Sequence, residues 1–150
     1  MPQLKKDAII LEMKAATKEG ALRELAALAA TLCGRFTEET IYNVLLEREA
    51  VGSTGVGNGV AIPHGKIEGL DEMLLCLGRS RTGINFDAID KRPAHLFVLL
   101  LSPAAKAGEY LQTLARVSKI LKESHNRQRL LDCTTREEIV TLFAAIPVAA

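Results

Sequence analysis

Apolar positions recur along the chain with two periods, one helical and one extended, and the two alternate. Between Thr17 and Gly34, the residues Ala21, Leu22, Leu25, Ala26, Leu28, Ala29 and Leu32 fall at helical spacing, with Thr17 placed to cap the start and Gly34 to close the end. A second helix is predicted from Thr37, whose hydroxyl can cap it. Glu38 and Glu39 occupy its favourable first turn, Ile41, Val44 and Leu45 form its buried side, and it ends by Gly52. Residues 9–15 alternate loosely, as a first strand or an extended arm does. Residues 60–62 read as a short strand: Pro63 fixes its own φ and pushes Ile62 towards an extended conformation, so the strand delivers His64 at its end. A polar turn over 66–72 follows. Residues 73–80 and 94–102 are predicted strands, and 96–101 is so continuously apolar that both its faces are expected to be covered.

Between those strands, 83–92 carries turn chemistry, and Pro103 stops the second. Residues 108–123 are predicted helical, with Leu111, Leu114, Ala115, Val117, Ser118 and Leu121 as the buried stripe, and 127–131 continues as a short helix. Thr134 with Glu137 makes a capping box for a last helix carrying Ile139, Leu142 and Phe143 before Pro147. Strands interleaved with helices, one of them buried on both sides, predict an α/β sandwich with a central mixed sheet and helices on both faces. No repeat, low-complexity tract or linker interrupts the pattern, so residues 1–150 are expected to form one domain.

Composition narrows the function classes. The chain is 48% hydrophobic and 25% charged with a net charge of +1, which gives no electrostatic ground for nucleic-acid or membrane-surface binding. Four phenylalanines, two tyrosines and no tryptophan do not furnish a base-stacking surface. Neither a long apolar run nor an amino-terminal signal pattern is present, so no membrane insertion and a cytoplasmic location are expected. Cys33, Cys76 and Cys133 are far apart, with no paired spacing and no histidine at ligand distance, and read as free core thiols; neither a metal nor a cofactor is expected.

The candidate chemistry lies in residues 52–66, where four of the eleven glycines fall between 52 and 59, ahead of a short apolar run and a histidine set between Pro63 and Gly65. Glycine lets another molecule approach the main chain, and a rigid imidazole beside free amides suits a nucleophile that takes up and releases an anionic group such as phosphate. The alternative is a histidine that merely caps a turn. Nucleotide motifs fail on spacing: Gly59 and Gly65 are separated by five residues and Lys66 precedes Ile67, which is no P-loop, and Gly55-Val56-Gly57 lacks the third glycine of a dinucleotide fingerprint. His95 and His125 assemble no site and read as structural or solvated.

Residues Leu46-Glu47-Arg48-Glu49 and the run from Gly52 through Gly-Ser-Thr-Gly to Pro63-His64-Gly65-Lys66 closely resemble the active-site signature of the enzyme IIA proteins of the bacterial phosphotransferase system, fructose/mannitol type. The Gly-Ser-Thr-Gly form with a terminal Gly-Lys looks most like the nitrogen-regulatory branch. Further matches lie in Phe86-Asp87-Ala88-Ile89-Asp90, Leu99-Leu100-Leu101-Ser102-Pro103 and Leu111-Gln112-Thr113-Leu114, so the likeness covers nearly the whole chain. The resemblance implies the same α/β fold and a phosphohistidine carrier, with His64 as phosphoryl acceptor and Arg48 beside it as the cation for the phosphate oxygens. The arginine's bland alternative is a solvated side chain at a helix end. Ser53 and Thr54 either donate to the phosphate or shape the turn, and Gly57, Asn58 and Gly59 are candidate phosphate-binding backbone. Lys66 either attracts phosphate or an acidic partner or is a plain surface lysine. Where many relatives carry a second histidine facing the active one, this chain has Tyr110, expected in the site but unable to supply positive charge. The implied donor is a small phosphocarrier such as HPr or its nitrogen-branch counterpart. Regulatory protein targets such as sensor kinases or potassium transporters are the implied partners on that branch. The alternative is a sugar-transport component that passes phosphate to a IIB domain.

Overall fold

The computed structural model describes residues 2–146; Pro147, read above as following the last helix, lies outside them. In chain order the elements are β1 (Ile9–Ile10), α1 (Lys18–Cys33), α2 (Glu38–Val51), β2 (Gly55–Gly57), β3 (Val60–Ala61), β4 (His64–Ile67), β5 (Leu74–Ile84), β6 (Ala94–Pro103), α3 (Ala107–Lys122), α4 (Ser124–Asp132) and α5 (Arg136–Ala145). The caps read from the sequence close the first two helices: Thr17 Oγ1 accepts from the Gly20 amide, Gly34 turns left-handed at φ 72°, and Thr37 accepts from the Thr40 amide.

Six strands form one mixed sheet: five follow the order β1-β5-β6-β3-β2, and β4 pairs with β6 off that path. The antiparallel pair β5 and β6 is its middle, with Leu75 opposite Leu100 and Leu77 opposite Val98, and β1 runs parallel along the outer side of β5. Residues 96–101 are all buried, so helices cover β6 from both sides, as the apolar run predicts.

The strand carrying the histidine differs from the expectation in a way that matters. β3 pairs with β6 only at Val60–Leu96 and Ala61–Phe97, and the pairing resumes in β4 from His64–Leu100 to Ile67–Pro103. His64 therefore opens a second strand instead of ending the first, and Lys66 lies in that strand, not in a turn. Pro63 has no N–H to give the ladder, so the line breaks there, yet its carbonyl still accepts the Leu100 amide at 3.0 Å and the chain stays against β6.

Two helical details also shift. The buried face of α3 is Tyr110, Thr113, Val117, Ile120 and Leu121, while Leu111, expected inside, is 66% exposed. Of the expected stripe Val117 and Leu121 are buried and Leu114 is half-buried, but Ala115 and Ser118 are exposed with Leu111: the buried face is turned towards Tyr110 and Thr113, whose polar groups hide it from a purely hydrophobic pattern. At α5 the cap is Thr135, accepting from the Glu138 amide, one residue later than the Thr134 and Glu137 reading; Thr134 instead donates its hydroxyl to the Glu138 carboxylate at 2.7 Å.

Candidate functional site

β4 lies against α2, and one glycine sets how closely. A Cβ on Gly65 would stand 2.5 Å from Val44 Cγ1, so only glycine lets the strand approach the helix this far. Its service is to packing. One turn beyond Val44, α2 carries Arg48, and the close approach brings its guanidinium onto the histidine.

The half-buried His64 ring is held at both nitrogens. Nδ1 lies 2.7 Å from the carbonyl oxygen of Ile62, which can only accept, so Nδ1 carries the proton. Nε2 is then the atom with the lone pair, and Arg48 Nε donates to it at 3.1 Å. Arg48 Nη1 donates to the Gly52 carbonyl at 2.9 Å, which anchors the guanidinium to the end of its own helix. Burial pushes the imidazole below the ordinary histidine pKa, and the charge of Arg48 adds to this; the Ile62 carbonyl, holding the proton, and the carboxylate of Glu49 oppose it. The neutral, nucleophilic ring is favoured.

Tyr110, from the first turns of α3, closes another side: its ring centroid is 6.0 Å from that of His64 at a tilt of 56°. Burial pushes its hydroxyl up to about 12, so it stays protonated. Lys66, exposed on β4, holds its ammonium 5.9 Å from the Tyr110 ring centroid.

The rest of the glycine-rich stretch goes elsewhere. Ser53 donates its hydroxyl to the Phe86 carbonyl at 2.7 Å, and Thr54 donates its own to the Glu49 carboxylate, so both protons serve the turn. Gly57, Asn58 and Gly59 do not gather round the imidazole. Asn58 and Gly59 have φ of 58° and 77°, the signature of a two-residue type I′ turn joining β2 to β3. The Asn58 amide donates to Asp90 Oδ2 at 2.9 Å, and the Gly59 carbonyl accepts from His95 and Leu96. That turn sits at the Leu96 level of β6 while His64 pairs with Leu100, roughly 13 Å further along the sheet. The structure does not bring these three residues to His64: they build a hairpin, whose Asn58 amide already faces a carboxylate.

His95 is structural, its Nδ1 2.8 Å from the Ser80 carbonyl, and His125 is exposed on α4. Sequence reasoning gave no role to Glu49 or Lys18, which the fold brings behind the site: Lys18 Nζ lies 3.0 Å from Glu49 Oε1, with side-chain exposures of 15% and 6%. The adjacency of Glu49 to Arg48 was the available signal, but only the folded loop shows where the carboxylate points.

Fold and geometry together define a class: an α/β domain presenting one histidine, its tautomer fixed by a backbone carbonyl and its free lone pair faced by an arginine. Residues 2–146 match the family model described as "Phosphoenolpyruvate-dependent sugar phosphotransferase system, EIIA 2", and the chain belongs to that family. It is 37% identical over 144 residues to a nitrogen regulatory protein of Bradyrhizobium diazoefficiens, covering 96% of this chain and 94% of the relative. It is also 37% identical over 141 residues to the fructose-specific EIIA component of Haloferax volcanii, covering 93% and 91%. Among solved structures, the nitrogen regulatory protein IIA-Ntr of Neisseria meningitidis superposes with a TM-score of 0.88 at 30% identity, covering 93% of this chain and 94% of that one. Among the described residues no helix is long and apolar enough to cross a membrane.

Proposed function

We propose that the protein is a phosphohistidine carrier that accepts a phosphoryl group on Nε2 of His64 from an HPr-like protein in the cytoplasm, and that it acts mainly as a nitrogen-branch regulator of other proteins. The observation that carries the reading is the pair of contacts on one ring: Nδ1 is committed to the Ile62 carbonyl, and Nε2 keeps a lone pair under the Arg48 guanidinium. In the transfer, that lone pair forms the Nε2–P bond as the donor's N–P bond breaks and its electrons return to the donor imidazole. No proton has to leave His64, since Nδ1–H stays on Ile62. Arg48 Nε must quit the lone pair for the phosphorus to enter, and with Nη1 still on Gly52 its freed donor meets the incoming phosphate oxygens instead. Keeping the proton on Nδ1 also leaves the ring a good leaving group for onward transfer.

A protein partner suits the surroundings. Val51, three residues beyond Arg48, is 84% exposed, and Leu111, next to Tyr110, is also bare, so apolar side chains stand beside the site on two helices. Incubation with phosphoenolpyruvate, enzyme I and the carrier tests the reading: acid-labile phosphate is expected on wild type and not on His64→Ala, and equal labelling of both would remove His64 from the reaction. For the regulatory role, phosphorylated and unphosphorylated protein should differ in affinity for sensor kinases or potassium transporters.

The match to a fructose-specific component at the same 37% identity supports a second reading, in which the phosphate passes to a IIB domain for sugar uptake. Rapid transfer of label from His64 to an added fructose-type IIB domain would favour it over the regulatory role.

A further inference from the structure

Glu49 occupies the last turn of α2, where the helix dipole is negative and a carboxylate is disfavoured, and its side chain is nonetheless only 6% exposed. Each of its oxygens is engaged. Oε1 accepts the Thr54 amide at 3.0 Å and meets the Lys18 ammonium at 3.0 Å, and Oε2 accepts the Thr54 hydroxyl. Thr54 is itself 3% exposed. From there the bonds run on towards the histidine: the Thr54 carbonyl accepts the Ile62 amide at 2.9 Å, and the Ile62 carbonyl accepts Nδ1–H of His64 at 2.7 Å. On the helix side, Glu49 is the neighbour of Arg48, whose guanidinium lies on the other ring nitrogen. A single buried carboxylate thus ties the carbonyl that fixes the tautomer to the helix turn that carries the arginine.

A purely stabilising role does not account for this placement. A buried ion pair at the unfavourable end of a helix dipole adds little to stability, since removal from water offsets most of the attraction. What the arrangement does secure is register: beside the Arg48–His64 bond, it gives α2 a second link, through Thr54, to the Ile62 carbonyl on the other side of the ring.

We propose that Glu49, neutralised by Lys18 and acting through Thr54, is the positioning residue that holds the Ile62 carbonyl and Arg48 on opposite nitrogens of His64, so that Nε2 alone is presented for phosphoryl transfer. The inference rests on the reading of His64 as the acceptor. Glu49 touches neither phosphate nor imidazole; it sets the geometry of the groups that do. The carboxylate also favours the charged imidazole at a distance, so its removal shifts the ring's titration downwards.

The test uses the full chain, labelled with ¹⁵N, in four forms: wild type, Glu49→Gln, Thr54→Val and Thr54→Ser. Long-range ¹H–¹⁵N spectra of His64 read the tautomer without any phosphate, and label transfer from the phosphorylated carrier reads the rate over a range of carrier concentrations. Wild type is expected to show a protonated Nδ1 and a pyridine-type Nε2. Glu49→Gln should populate both tautomers and lower the maximal transfer rate by about 10–100-fold, with the half-saturating carrier concentration unchanged, because misplacement of a reacting group acts on the chemical step. Thr54→Val should move both readouts the same way by less, and Thr54→Ser should restore them. If Glu49→Gln fails to fold, the two threonine variants decide. A single tautomer with a wild-type rate in Glu49→Gln and Thr54→Val would overturn the proposal, and so would a lost rate with the tautomer intact. Mixed tautomers in the variants, with no labelling even of wild type, would uphold the positioning role while the relay reading falls.

Discussion

Burial first, with Arg48 assisting, holds the His64 imidazole neutral below the pH at which a free histidine protonates, near 6.5. The sign for stability follows. Above about pH 6.5 the ring is neutral in both folded and unfolded chains. As the pH falls below that value the unfolded chain takes up a proton that the folded chain resists, so the unfolded state gains and stability is lost through that window. His64→Gln, having nothing to titrate, is expected to show a shallower loss of urea midpoint between about pH 6.5 and pH 5 than wild type. The same depression keeps the lone pair available: phosphoryl acceptance should stay level down through pH 6.5 and fall only below it. Tyr110 adds no titration, its hydroxyl being pushed up to about 12. Replacing it with histidine should introduce a new step in the rate near pH 6–7, the ordinary histidine range, which a rate-against-pH series would show. At this scale the setting of His64 between Pro63 and Gly65 was legible in the residues themselves, whereas Arg48 beside it was legible only through the family resemblance; the fold brings the two side chains together. Asn58-Gly59 is a strong type I′ hairpin signal, and four glycines within eight residues mask it by fitting an anion cradle equally well. Glu49 was not legible, since where a carboxylate points after a helix end depends on how the next loop folds back.

Strand against helix is where the imidazole meets its arginine. Gly65→Ala places a methyl group 2.5 Å from Val44 Cγ1, a branched side chain with little freedom to turn aside, so β4 and α2 must separate. The expected loss is about 1–3 kcal/mol, as for overpacking generally, measured as a shift in urea midpoint. Because Arg48 is one helical turn from Val44, the same separation should stretch its bond to Nε2 and slow phosphoryl acceptance. Val44→Ala in the Gly65→Ala background should recover part of both. An equal slowing in the double variant would show that the glycine acts by something other than this contact. Elements as such were well marked in the sequence, with caps at Thr17 and Thr37 and the doubly buried β6. What the pattern could not mark was the phase of α3, where Tyr110 and Thr113 go inside and Leu111 stays out. The hydrophobic rule is blind to a tyrosine recruited to wall a site.

The molecule is divided along the length of β6. His64 pairs at Leu100, and at the other end, opposite Leu96, stands Arg79, an arginine only 5% exposed. Its Nε donates to the Leu11 carbonyl at 3.1 Å, and its Nη1 lies 3.0, 3.0 and 2.6 Å from the carbonyls of Leu130, Leu131 and Cys133. One side chain from the sheet thus satisfies the open carbonyls at the end of α4 and ties down the amino-terminal arm, the places where a helix end otherwise leaves acceptors unpaired. The positive charge is favoured there by the negative end of the helix dipole. Arg79→Met keeps much of the apolar stem and removes every donor, leaving those carbonyls to find water at a partly buried seam. A loss of about 2–4 kcal/mol is expected, in line with unsatisfied buried acceptors, read from urea unfolding. Since Arg79 pairs on β6 four positions from the partner of His64, with the buried Phe97, Val98 and Leu99 between, the fraction that stays folded should accept phosphate at the wild-type rate. A slowed transfer in fully folded Arg79→Met would mean that the two ends of the sheet are mechanically coupled, and that the site is held by more than the strand and helix that carry it.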